Sequence, residues 1–276
     1  MSIFESAIYG FISGISNFFP ISSDGHQILL RYLFGIDSRN FLQEFLVHIG
    51  VLCAVIIGCR EYLIRLKREQ SHMSFQRHKR VKKVASTAYY DLRLIKTALF
   101  PLFIGQIFLL ITLKRDGNLL SVVTFMIVNA IILLLAEHTR HGNRDSATMT
   151  GLDGIVIGIL GCFGVFPGLS GVGIVLSYAT LRGADSKHFV NWAYILSIPA
   201  IILLVVFDVL GLITVGAGIL SFSIILGYIF SGITAFLGGY LAISIFLTIL
   251  NHSGVSQFAY YSIGVALLTF ILYIIT

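Results

Sequence analysis

The chain has 276 residues, of which 57% are hydrophobic and 12% charged, with a mean hydropathy of +0.91. A soluble domain carries about 25% charged residues, so that class is excluded, and the apolar runs are much longer than the roughly 10-residue alternating strands of a membrane barrel. The net charge of +6 is concentrated, with 11 of the 19 Lys and Arg residues between Arg60 and Lys96, which predicts no nucleic-acid partner.

In chain order, the N-terminal "MSIFESAIYG" has no cationic n-region or small-residue cleavage site, so no removable signal peptide is expected. Residues 4–34 are apolar but interrupted at "FFPISSDGH" by Pro, Ser and Gly. A full-length span is predicted at 41–59, followed by a basic loop over 60–96 that the positive-inside rule assigns to the cytoplasm, where it also meets anionic lipid headgroups. Further spans are predicted at 97–113 and 119–137. A second interrupted stretch, 152–181, holds "FPGLSGVG", and three more spans follow at 189–211, 218–250 and 256–276.

The two interrupted stretches echo one another. Phe19-Pro20 matches Phe166-Pro167, Ser23 matches Ser170, and Gly14 matches Gly161. Each half of a stretch is too short for the roughly 20 residues a crossing needs. A re-entrant hairpin buried in protein is therefore predicted for each, because broken backbone is not tolerated against lipid. The resulting fold class is an all-α polytopic membrane protein. It is built as an inverted repeat of one re-entrant helical hairpin plus three transmembrane helices per half, with halves 1–150 and 151–276. Three spans per half reverse the sense of the second half. The charges agree: Arg140, Arg144, Arg182 and Lys187 fall inside, and Arg31, Arg39, Lys114 and Arg115 outside. Inverted repeats of discontinuous helices set a binding site near the midplane, where helix N-termini suit an anion.

The polar set at the tips is Ser22, Ser23, Asp24, His26 and Ser170. A serine near a histidine is a candidate nucleophile with its base. The structural alternative is that these hydroxyls cap the broken helices, with His26 a satisfied core residue. Glu44 and His48, spaced i, i+4 on the first span, share a face and line either the site or a local pair. Asp208 is expected at the membrane interface. Cys53, Cys59 and Cys162 have no metal-ligand spacing and are expected to be packing residues.

These motifs resemble the undecaprenyl-diphosphatase family of the BacA type. The likeness covers nearly the whole chain: "FPISSDGH", "EFLVHIGVLCAV", "FPGLSGVG", "WAYILSIPAII", "GGYLAI" and "FAYY", in order. It implies two re-entrant hairpins, six spans and a pocket for a lipid diphosphate, often with a divalent cation. Family members remove a phosphate from undecaprenyl diphosphate at the outer side of the cytoplasmic membrane. In the family pattern two glutamates precede the first Phe-x-Pro, where this chain has Ser13 and Asn17. The second motif carries Ser-Arg-Ser where this chain has Ser170, Gly171 and Val172, and Asp24 replaces a threonine.

The expectation drawn from these departures is a non-catalytic member that binds and translocates or recycles undecaprenyl phosphate for cell-envelope synthesis. The headgroup would be held by Ser13, Asn17, Ser22, Ser23, His26, Glu44, His48, Ser170 and Gly171, with no cofactor. The alternatives are an active phosphatase using Ser23, Asp24 and His26, with Mg or Ca on Asp24 and Asn17, or a carrier-binding regulatory or resistance protein. The expected partners are undecaprenyl phosphate or diphosphate and membrane lipids, and a homodimer is compatible. The expected location is the bacterial cytoplasmic membrane, crossed several times.

Overall fold

In a computed structural model, residues 1–36, 38–79, 86–112, 118–139, 142, 144–218 and 221–275 are described. Helix α1 (Ile3–Phe18) begins in a capping box, where Ser2 and Glu5 satisfy each other's backbone N–H groups. It stops where Phe19 turns extended ahead of Pro20, which disfavours helical backbone at the residue before it. The chain then folds back as α2 (Ser23–Leu33). The second half repeats the device. Thr150 and Asp153 box the start of α7 (Gly151–Gly161), a 3-10 turn (Cys162–Val165) leads into Phe166-Pro167, and α8 (Gly171–Leu181) packs back on α7. Three of these four helices are only 11 residues long.

Among the described residues six helices are long and apolar enough to cross a membrane: α3 (Phe41–Gly58), α5 (Thr87–Thr112), α6 (Leu119–Glu137), α9 (Ser186–Thr214), α10 (Phe222–Ser253) and α11 (Ser256–Ile275). The protein is a multi-pass membrane protein. Among the described residues no strand forms, only one bridge between Arg144 and Ala184. Predicted spans and helices agree except at α5, which starts ten residues before the expected 97. Its first turns are polar by composition, yet Asp91 is fully buried, taking the Ser146 hydroxyl at 2.5 Å and lying 2.9 Å from His188 Nε2. The stretch after α3, expected as a loop, is instead helix α4 (Arg60–Lys79), because Tyr62 and Leu66 give it a buried face against α5. Residues 80–85, Lys114, Arg115 and Arg140 lie outside the described residues, so the charge assignment there is untouched.

Two hairpin arms are seated by small residues. Gly14 of α1 lies so close to α10 that a Cβ would overlap the Ala235 carbonyl, and Gly158 of α7 meets the Ala98 carbonyl of α5 in the same way. Such contacts are how helices pack tightly without a hydrophobic drive from lipid. Thus α1 packs along α10 and α7 along α5, while α3 packs on α9 and α6 on α11. Cys59 and Cys162 are packed as expected, but Cys53 is exposed on the outer face of α3.

Candidate functional site

The two hairpin tips meet each other. Ser22 sits at φ 68°, a left-handed conformation a non-glycine residue adopts only when its surroundings impose it. Here its hydroxyl caps α2 by accepting from Gly25 N–H at 3.3 Å. It also accepts from Gly168 N–H of the other tip at 2.9 Å. Ser170 caps α8 through Gly173 N–H at 3.1 Å and donates to the Phe19 carbonyl at 3.4 Å. Asn129 of α6 ties both tips together, donating to the Pro20 carbonyl at 2.9 Å and accepting from Ser170 N–H at 3.0 Å. Both serines therefore act as caps and cross-links.

Beside this junction lies a cavity of about 90 Å³. Ser16, Asn17, Ser23 and Asp24 line it from the first hairpin, Ser170 and Gly171 from the second, and Gln106 and Ser197 from α5 and α9. Leu102, Val165, Val172, Val175, Leu196 and Leu204 complete an apolar wall. Asp24 is the one carboxylate in that lining, and among the described lining residues none is Lys or Arg. Ser23 donates to the Ser13 carbonyl at 3.1 Å. Ser13 itself is fully buried, its hydroxyl turned back to the Tyr9 carbonyl at 2.6 Å, so it contributes only backbone near the cavity.

Besides Ser13, three expected site residues stand apart from the cavity. His26 lies 2.7 Å through Nδ1 from the Ser22 carbonyl and 2.9 Å through Nε2 from the Tyr261 hydroxyl, with the two rings stacked. A carbonyl only accepts, so Nδ1 carries the proton and the Nε2 lone pair goes to Tyr261. The expected pairing of Ser23 with His26 is thus replaced by a contact that holds α2 on α11. Glu44 and His48 do not line the cavity either, because both find charged or phenolic partners across α3. Glu44 accepts from the Tyr9 hydroxyl and from Arg31 at 3.2 Å, and His48 Nδ1 lies 2.5 Å from Asp208, which also takes Arg39 at 2.7 Å. Asp208, expected at the interface, is fully buried, since α9 turns it towards Arg39 and His48. Burial works against the charge of Arg39, but Glu44, Asp208 and Asp24 outweigh it and raise its pKa above the ordinary arginine value. The field of Asp24 links this charge cluster to the cavity.

Tyr9, Arg31, Arg39, Asp208, Gln106 and Asn129 escaped the sequence reading as site neighbours. Two signals existed: Asp208 is an ionisable residue inside a span, and Arg31 follows Asp24 by two helical turns on the same face. A hard cation takes oxygen ligands, and Mg²⁺ is commonly held by one or two carboxylates plus substrate phosphates. Among the described residues no group of three or more His, Cys, Asp or Glu is arranged for a metal. Asp24 and the Asn17 carbonyl therefore fit a cation only in company with oxygens from a bound phosphate.

Residues 6–268 match the family described as "Bacitracin resistance protein BacA". The chain belongs to the BacA family. Among its relatives is an undecaprenyl-diphosphatase of Carboxydothermus hydrogenoformans, 29% identical, with 95% of this chain and 94% of the relative covered. Undecaprenyl-diphosphatase 1 of Shouchella clausii is also 29% identical, with 98% and 96% covered. A third undecaprenyl-diphosphatase, from Thioalkalivibrio sulfidiphilus, is 29% identical over 95% of each chain. These family relatives carry the name of a hydrolase. That sits better with the catalytic alternative than with the non-catalytic expectation, which gains no support from them.

Proposed function

We propose that the cavity between the hairpin tips takes the diphosphate end of a polyprenyl lipid of the undecaprenyl class, and that the chain hydrolyses its terminal phosphate. The observation that carries this is the convergence of two capped helix N-termini, those of α2 and α8, on one cavity that also holds Asp24. Exposed N–H groups and the positive dipole end of a helix favour a phosphate. In this reading Asp24 takes a proton from the attacking water, Ser23 and Asn17 orient the terminal phosphate, and the bridging P–O bond breaks towards the lipid monophosphate. A Mg or Ca ion held by Asp24, the Asn17 carbonyl and the substrate's oxygens would supply charge neutralisation that the lining side chains lack.

The wider setting belongs to the same proposal. The hairpins re-enter from the side they leave, the halves 1–150 and 151–276 are inverted copies, and the membrane is the bacterial cytoplasmic one with residues 60–96 inside. The equivalent packing of α1 on α10 and α7 on α5 supports the repeat. The test is inorganic phosphate release from a polyprenyl diphosphate by purified protein with Mg or Ca, expected to fall about a hundredfold or more in Asp24→Asn. No release at high protein concentration rejects hydrolysis.

One observation favours a second reading, translocation of the lipid phosphate without hydrolysis. Ser13, Asn17 and Gly171 stand where the family pattern that the chain resembles has two glutamates and an arginine. An arginine fork is the usual stabiliser of phosphoryl charge, and its loss costs orders of magnitude in rate. Faster lipid-phosphate flipping in liposomes holding the protein than in empty ones, with no phosphate release, is the outcome that selects this reading.

A further inference from the structure

A second concavity, with none of the lining residues of the first, lies at the C-terminal end of α3. Its volume is about 730 Å³, and its lining includes Arg60, Glu61, Tyr62 and Arg65 of α4, Asn191 of α9 and Tyr240 of α10. Helix α3 has just completed its 18 residues, the length of an apolar crossing, so this groove opens where the chain leaves the hydrocarbon layer. Ile57 of its lining is exposed, as are Ile56 and Ile64 close by in sequence. It therefore has a charged floor and an apolar shoulder.

The charges are arranged unequally. Arg65 stacks 4.7 Å over the Tyr62 ring and lies 3.3 Å from Asp91, which fixes the guanidinium while half of its side chain stays exposed. Arg60 is exposed, and among the described residues it has no carboxylate within ion-pair distance. Glu61 adds one negative charge to the same rim. Guanidinium groups match phosphate oxygens in fork geometry, and basic pockets between helices at the inner membrane face suit phosphorylated head groups. A carboxylate beside them suits an amine. Free phosphate would use the arginines but neither Glu61 nor the isoleucine shoulder.

We propose that this groove binds the headgroup of a membrane phospholipid, with Arg60 and Arg65 on its phosphate and Glu61 accepting from an ethanolamine ammonium. The site is independent of the cavity at the tips and of what that cavity does.

The chain's one tryptophan offers a readout. Trp192 adjoins Asn191, and its indole N–H donates to the Asp91 carbonyl at 3.3 Å, on the residue that pairs with Arg65. The full chain in detergent is titrated with bromine-labelled phosphatidylethanolamine, phosphatidylglycerol or phosphatidylcholine, and separately with inorganic phosphate, while Trp192 emission is followed. Saturable quenching is expected, tightest for the ethanolamine lipid and not relieved by inorganic phosphate. Arg60→Gln should raise the half-saturating lipid concentration about fivefold, the usual worth of one interfacial cation, and Arg60→Lys should recover most of it. Glu61→Gln should remove the preference for ethanolamine over glycerol head groups. Arg60 is exposed and, among the described residues, pairs with no carboxylate, so its variants test the site with little effect on the helix. Equal, non-saturating quenching by all three lipids, or quenching unchanged in Arg60→Gln, overturns the proposal. Relief by inorganic phosphate overturns it in favour of a soluble anion.

Discussion

The cavity at the hairpin tips and the charge cluster beside it divide the labour of a site between them. The cavity is lined by hydroxyls, amides, an apolar wall and, among the described residues, a single carboxylate, and two of its serines are engaged as helix caps. The cluster holds the strong charges, Arg31 with Glu44 and Arg39 with Asp208, with His48 beside Asp208, all largely withdrawn from solvent. Buried charges are tolerated only when paired, and the arginines here are already committed to carboxylates of the same chain. The shape of a phosphate pocket and the charge for phosphate chemistry thus occupy neighbouring but separate positions.

The largest effect should come from breaking the cluster. Asp208→Ala strands Arg39 and His48 and should cost about 3–5 kcal/mol, read from unfolding of the purified protein. Next, Asp24→Asn should cost much less in unfolding than Asp208→Ala yet lower phosphate release about a hundredfold or more, as for loss of a general base. Should it instead destabilise the protein as strongly as Asp208→Ala, cavity and cluster are one unit. Ser170→Ala, removing a cap and a bridge between the tips, should cost about 1 kcal/mol.

The smallest effect lies outside both regions, at the start of α7. Burial acts to raise the Asp153 carboxyl, but the Thr150 backbone N–H and hydroxyl, Arg182 and Tyr178 hold it down at about 2. A depressed carboxyl stabilises the fold fully above its unfolded value, near 3.8, and that stability is lost as pH falls towards 2. The melting temperature should therefore fall more steeply with acid in the natural chain than in Asp153→Asn, while Asp208→Ala shifts the whole curve.

Much of the architecture was legible because hydropathy reports helices that face lipid. Span 119–137 coincides with α6, and the two Phe-Pro breaks mark the ends of α1 and of the turn after α7. Composition fails where polar residues are buried by packing, which is why the start of α5 and the helicity of α4 went unread. At the site, local chemistry was legible in part: Ser22 and Ser170 as caps, and Asn17, Ser23, Asp24 and Gly171 at the cavity. What escaped was partner choice. His26 turning to Tyr261, and Glu44 and His48 to Tyr9, Arg31 and Asp208, depend on contacts between residues up to 235 positions apart, which periodicity does not encode.

The central claim is that the phosphate end of the lipid sits in the cavity rather than on the arginines. A structure of the protein with a non-hydrolysable methylene analogue of a polyprenyl diphosphate tests it most directly. The account predicts phosphate density between Asp24 and Gly171 with the Arg31–Glu44 and Arg39–Asp208 pairs intact. Phosphate seated on Arg31 and Arg39, with those pairs broken, would contradict it.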